Sequence, residues 1–129
     1  MKKTDEYIAY EGNCFTIEWY FDGKDQSSAL EYYQSLSDGE RIKVLMLFKR
    51  MGDVGEIKDK TKFTSEGDKI YAFKPQPHRF LCFFYKGKKI IVTNGFRKKQ
   101  QKLPKGEKDK ALQAHDDYVN KVKAGEYYE

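Results

Sequence analysis

Residues 70–94 read IYAFKPQPHRFLCFFYKGKKIIVTN, and this stretch decides the fold. Turn chemistry cuts it into three apolar segments. Residues 70–74 stop at Pro75 and Pro77, residues 79–85 stop at Lys86-Gly87, and residues 89–94 follow. Proline removes a ladder donor and glycine adopts φ > 0 freely, so both punctuate strands. The spacing predicts three antiparallel strands, with the almost wholly apolar 79–85 segment central in the sheet. Upstream, Phe15, Ile17, Trp19 and Phe21 alternate with Thr16, Glu18 and Tyr20, the period of a half-buried strand. Residues 23–26 supply a turn. Ser28 with Glu31 reads as a capping box that opens a short helix bearing Leu30, Tyr33 and Gln34 on one side. Ser37 and Glu40 repeat the box ahead of a second helix, whose core stripe is Val44, Leu47, Phe48 and Met51, with Gly52 as its end. Two helices in succession predict a helical hairpin. Residues 53–69 are mostly polar and read as a connection. Downstream, Pro104 suits a first helical turn, and Leu112, His115, Val119 and Val122 line one face of a terminal helix that closes near Gly125. The expected fold is therefore α+β: an antiparallel sheet, mixed at its edge, with an N-terminal helical hairpin and a C-terminal helix. One sheet face would carry the helices and the other stay open.

The 129 residues amount to a single domain over residues 1–129, with a core at about 15–122 between short flexible termini. No run of 18 apolar residues exists, so no membrane span is expected. Met1-Lys2-Lys3-Thr4-Asp5-Glu6 leads into no apolar stretch, unlike a signal peptide. Two cysteines, Cys14 and Cys82, are too few for a disulfide framework or a zinc site. They read as small core residues, and a reducing cytoplasm is the expected location. The histidines, His78 and His115, have no metal-ligand companions at the usual spacings, so neither metal nor cofactor is expected. His115 reads as a packed helix histidine. His78, at the mouth of a strand pair, is either an acid/base group or a loop residue.

The net charge of +5 hides an asymmetry. Residues 86–110 hold ten basic groups against two acids, Glu107 and Asp109, so the remainder of the chain is net acidic. Such a block is either a solvated surface or a polyanion-binding face. The strand order favours the second. Lys74 ends one strand, Arg79 begins the next, and Arg97-Lys98-Lys99 follows the third, so an antiparallel meander brings them to one end of the sheet. Convergent Arg and Lys bind phosphate by charge-assisted hydrogen bonds and stabilise the charge that builds up in phosphoryl transfer. Lys102, Lys105 and Lys108 would extend this surface along a nucleic-acid backbone, and Tyr71 or Phe96 would stack on a base.

Several stretches carry a family resemblance: Phe15-Thr16-Ile17-Glu18-Trp19-Tyr20, Ile70-Tyr71-Ala72-Phe73-Lys74, Arg79-Phe80-Leu81-Cys82-Phe83-Phe84, and above all Asn94-Gly95-Phe96-Arg97-Lys98-Lys99 running to Pro104. The chain resembles the phage-derived, HigB-like branch of the RelE/ParE toxin superfamily over roughly residues 15–120. That resemblance implies a RelE-like fold and the toxin of a type II toxin–antitoxin pair. It implies an endoribonuclease that cuts messenger RNA, on the ribosome in the better-known members, by metal-independent attack of a ribose 2′-hydroxyl on the adjacent phosphate. Lys74, Arg79, Arg97 and Lys98 are then the expected catalytic residues, and Lys99, Lys102, Lys105 and His78 the expected RNA-binding ones. A helix-turn-helix, HigA-like antitoxin is the expected protein partner. Two positions depart from the family pattern. Lys74 stands for an arginine, which loses the bidentate fork. Gln100, Gln101 and Leu103 occupy the place where some members carry an acid/base tyrosine or histidine, for which His78, Tyr127 or Tyr128 would have to substitute. A non-catalytic binder on the same fold, such as a gyrase-poisoning relative or a phage nucleic-acid adaptor, is the alternative reading.

Overall fold

The computed structural model describes residues 6–128. The chain runs β1 (Ile8–Glu11), β2 (Thr16–Trp19), α1 (Ser28–Gln34), α2 (Asp38–Val54), β3 (Phe63–Gly67), β4 (Ile70–Phe73), β5 (His78–Tyr85), β6 (Lys89–Arg97) and α3 (Lys105–Lys123). The six strands form one sheet in the order β1-β2-β6-β5-β4-β3. The predicted three-strand meander is present as β4, β5 and β6, all antiparallel, with β5 and β6 at the centre. β2 pairs with β6 in parallel, so the mixed pairing lies inside the sheet and not at its edge. Two strands go beyond the expectation: β1, which pairs with β2, and β3, which lies in the polar 53–69 stretch and pairs with β4.

The chain therefore enters through a β-hairpin, and the expected N-terminal helical hairpin is not formed. α1 packs on β6 while α2 packs on β1 and β2. Both sheet faces are covered, because alternate residues of the central strands are apolar in both directions. On one face Tyr32 and Phe48, from α1 and α2, meet Phe80 with ring centroids 5.7 and 6.2 Å apart. On the other, Phe83 and Tyr85 meet Tyr118 of α3 at 5.5 and 5.0 Å. The expected open face is thus occupied by α3. Burying each such phenyl ring contributes about 1.5–3 kcal/mol, which explains why β5 is apolar on both sides.

The Ser37–Glu40 capping box is present. The first helix is capped by Ser27, which accepts from the Leu30 amide at 3.2 Å, and not by Ser28. α2 runs through Gly52 to a left-handed cap at Gly55. Gly52 serves close approach instead: its carbonyl accepts from the Cys14 and Phe15 amides at 2.7 and 3.0 Å, and a Cβ on Gly12 would lie 2.2 Å from its carbonyl carbon. The buried face of α3 is Ala111, Ala114 and Tyr118, while Leu112, His115, Val119 and Val122 flank it.

The β2 strand is buried on both sides. Glu18, expected to face solvent, is buried, accepts from the Tyr128 hydroxyl at 2.7 Å and pairs with Lys89 at 3.4 Å. Tyr7 and Tyr127 are buried too, so packing extends past the expected 15–122 core at both ends. Residues 1–5 and 129, which include most of the segment compared with a signal peptide, lie outside the described residues. Cys82 is a core residue as expected, but Cys14 is exposed. Among the described residues no helix is long and apolar enough to cross a membrane.

Candidate functional site

Antiparallel pairing brings the end of β4, the start of β5 and the end of β6 together. His78 stands opposite Arg97 and Arg79 opposite Phe96. Beyond the last rungs, the Lys74 amide donates to Lys62 O at 2.8 Å and the Lys98 amide donates to Pro77 O at 2.9 Å, so the connecting loops stay tied to the sheet. Because side chains alternate between faces, the basic run 97–99 is divided. Lys98 joins Lys74 and Arg79, whereas Arg97 and Lys99 line a neighbouring groove on the side of α1.

The first cluster is a pocket walled by Lys74, Arg79, Lys98 and Lys102, with Phe96 beside them and one carboxylate, Glu66 of β3. Arg79 is only 7% exposed. Its Nη1 donates to Gln76 Oε1 at 3.1 Å and to His78 O at 2.9 Å, which holds the guanidinium in one orientation. Lys74 Nζ donates to Lys60 O at 3.2 Å. Burial lowers the Lys74 pKa, and the Arg79 and Lys98 charges lower it further, against the opposing pull of Glu66. Four cations facing one carboxylate repel one another. An oxyanion entering the pocket would relieve that repulsion and gain charge-assisted hydrogen bonds.

The second cluster is a groove of about 530 Å³ between α1 and the end of β6, with Arg97, Lys99 and Tyr32 on its walls. It shares Phe96, Gln100 and Pro104 with the first pocket, so the two are continuous around the end of β6. Behind Tyr32 lies His78. This histidine, expected on the RNA surface, is buried on the α1–α2 side and is bonded to Tyr32, which lines the groove. Its Nδ1 lies 2.6 Å from the Tyr32 hydroxyl and its Nε2 2.6 Å from Glu40 Oε2. Glu40 also accepts from the Ser37 amide and hydroxyl at 3.0 and 2.9 Å. The His78 bond, followed by these Ser37 bonds, holds its carboxyl down at about 2.

Phe96 borders both clusters, but Tyr71 stacks on Phe63 at 5.6 Å, away from the cations. Lys105 is exposed at the start of α3 and lines neither pocket. Lys108 is paired with Asp68 at 2.8 Å, and Lys86 and Lys88 lie at the opposite end of β5 and β6. The basic segment is therefore not one continuous face. Tyr127 and Tyr128 are packed among Tyr7, Tyr20 and Tyr118 and cannot supply a proton-transfer group to the cations. Tyr32, Glu40 and Glu66 were missed as site residues. Glu40 carried a signal only as a helix cap, and Tyr32 none beyond its place on a helix.

The family model described as "Phage derived protein Gp49-like (DUF891)" matches residues 31–116. That span runs from α1 into α3 and contains both clusters together with Tyr32, Glu40 and His78. No curated protein matches the chain.

Proposed function

The chain belongs to the Gp49-like family of phage-derived proteins, and from that premise we propose that it is a HigB-like toxin of a type II toxin–antitoxin system, an endoribonuclease acting on messenger RNA. The reading takes the fold as RelE-like, with RNA crossing the end of the sheet. The convergence of Lys74, Arg79, Lys98 and Lys102 on one pocket beside Phe96 carries the reading. A phosphodiester seated there has its charge met by Arg79 of β5, by Lys74 just past β4, and by Lys98 and Lys102 in the segment after β6. A buried, oriented arginine is suited to the charge that grows as the 2′-oxygen attacks phosphorus. Arg97 and Lys99 hold the neighbouring backbone in the groove, and Phe96, between the two sites, stacks on a base. Messenger RNA is the substrate, and a helix-turn-helix, HigA-like protein is the neutralising partner in the cytoplasm.

Induced expression of the chain alone in a bacterium tests this. Growth arrest with new RNA 5′ ends inside open reading frames is expected. The paired change Arg79→Ala and Lys98→Ala should relieve it. Each lost electrostatic donor in such sites typically costs about 10²–10³ in rate. Normal growth with intact transcripts would overturn the reading, and arrest with uncut transcripts and damaged DNA would replace it with the non-catalytic alternative.

A further inference from the structure

We propose that the Tyr32 hydroxyl, relayed through His78 to Glu40, is the proton-accepting group that the cationic site otherwise lacks. The inference rests on the ribonuclease reading and completes it. One arrangement of the hydrogen bonds serves the relay. Glu40 is ionised at neutral pH, and a carboxylate only accepts, so Nε2–H of His78 donates to it at 2.6 Å. In a neutral ring Nδ1 is then the acceptor, and the Tyr32 O–H donates to it at 2.6 Å. Tyr32 is itself a wall of the groove with Arg97 and Lys99, and as a donor to Nδ1 its oxygen keeps its lone pairs for a substrate hydroxyl. This is the order of groups in a nucleophile–histidine–carboxylate triad, with a phenol in the first place.

The balance is simple. The ribose 2′-O–H bond breaks and a 2′-O–P bond forms. With the reacting nucleotide seated at Phe96, which the pocket and the groove share, the released proton passes to the Tyr32 oxygen as the Tyr32 proton passes to Nδ1. The imidazolium so formed is stabilised by the Glu40 carboxylate. The P–O5′ bond breaks, the 5′ oxygen takes a proton from water, and the hydroxide so formed is neutralised by the proton that the imidazolium gives back through Tyr32. Burial raises the Tyr32 pKa, and Glu40 adds to the rise while Arg97 opposes it. The phenol is therefore neutral before reaction, which requires the relay.

Two further features fit. Glu40 is anchored twice by Ser37, so the far end of the relay is fixed to the first turn of α2. At the near end, a Cβ on Gly95 would stand 2.9 Å from both the Tyr32 ring and the Phe80 ring. Gly95, next to Phe96 and Arg97, thus leaves the room that lets the Tyr32 ring lie against β6.

The test is RNA cleavage by the purified chain and its Tyr32→Phe variant, with ribosomes supplied, below the melting temperature of both. Phenylalanine keeps the ring packing and removes only the hydroxyl. The expected result is a fall in kcat of about a hundredfold or more, the usual range for a lost acid/base group, with KM unchanged. Glu40→Gln, which keeps a side chain able to cap α2, should lower kcat by about tenfold, again without moving KM, through loss of imidazolium stabilisation. Wild-type cleavage matched within threefold by Tyr32→Phe would overturn the relay and leave the ribonuclease reading standing. No cleavage by the wild-type chain would overturn both.

Discussion

Removing cations from the end of the sheet should change the salt dependence of RNA binding by a calculable amount. Each phosphate neutralised on a single strand contributes about −0.7 to the slope of log K against log salt. The pocket presents Lys74, Arg79, Lys98 and Lys102, and the groove adds Arg97 and Lys99. Four to six contacts correspond to a slope of roughly −3 to −4, with Glu66 drawing the value toward the smaller end. A fourfold rise in salt should then weaken binding by roughly 50- to 300-fold. Lys98→Gln with Lys102→Gln should make the slope shallower by about 1.4, two phosphates' worth. Lys86→Gln with Lys88→Gln, at the opposite end of β5 and β6, should leave it unchanged. Fluorescence anisotropy of a labelled RNA titrated across a potassium chloride series reads all three slopes. Equal loss of slope in the two double variants would refute the localised site and restore a diffuse basic surface.

Stability should depend on Glu40 in acid. Its folded-state pKa, about 2, lies below the ordinary value of 4.5, so its contribution is complete above the ordinary value and lost as the pH falls toward about 2. Denaturant titrations from pH 5 to pH 2 should show a steeper loss for the wild type than for Glu40→Gln. Gly12→Ala should destabilise by about 3–5 kcal/mol, from overpacking plus two lost backbone hydrogen bonds. The added Cβ would meet Gly52 backbone atoms at 2.2 and 2.3 Å and disturb the amide bonds from Cys14 and Phe15. Calorimetry should show a melting point lower by roughly 10–20 °C. A thiol reagent should label the native chain once, at exposed Cys14, and twice in denaturant, since Cys82 is buried and burial pushes its thiol pKa up. Two labels on the native chain would contradict the core placement.

The three central strands were legible because their apolar runs are long and their breaks are proline and glycine. β1 and β3 were not, for physical reasons. β1 is only four residues long, and the β3 segment Phe63-Thr64-Ser65-Glu66-Gly67 is an edge strand whose polar residues need no burial. The second sheet face was hidden by α3, whose buried stripe relies on Ala111 and Ala114, residues too small to stand out as core. Convergence of Lys74, Arg79 and Lys98 followed from strand direction alone. The division of Arg97-Lys98-Lys99 between two faces did not, because it depends on how far β6 runs: the strand was expected to stop at residue 94 and reaches Arg97. The same extension pairs His78 with Arg97 and turns the histidine inward to Tyr32 and Glu40. Contacts across 38 and 46 residues, between a helix cap, a helix face and a strand end, leave no local pattern to read.

Intramolecular attack of a 2′-hydroxyl, the cleavage proposed for this chain, leaves a chemical signature on the RNA. The most direct measurement is the chemistry of the ends it leaves on messenger RNA translated in a purified system. The expected products are 5′-hydroxyl ends paired with 2′,3′-cyclic phosphates, produced by the wild-type chain and lost with Arg79→Ala and Lys98→Ala together. Intact messenger RNA, or breaks that carry 5′-phosphate and 3′-hydroxyl ends, would contradict the proposed cleavage.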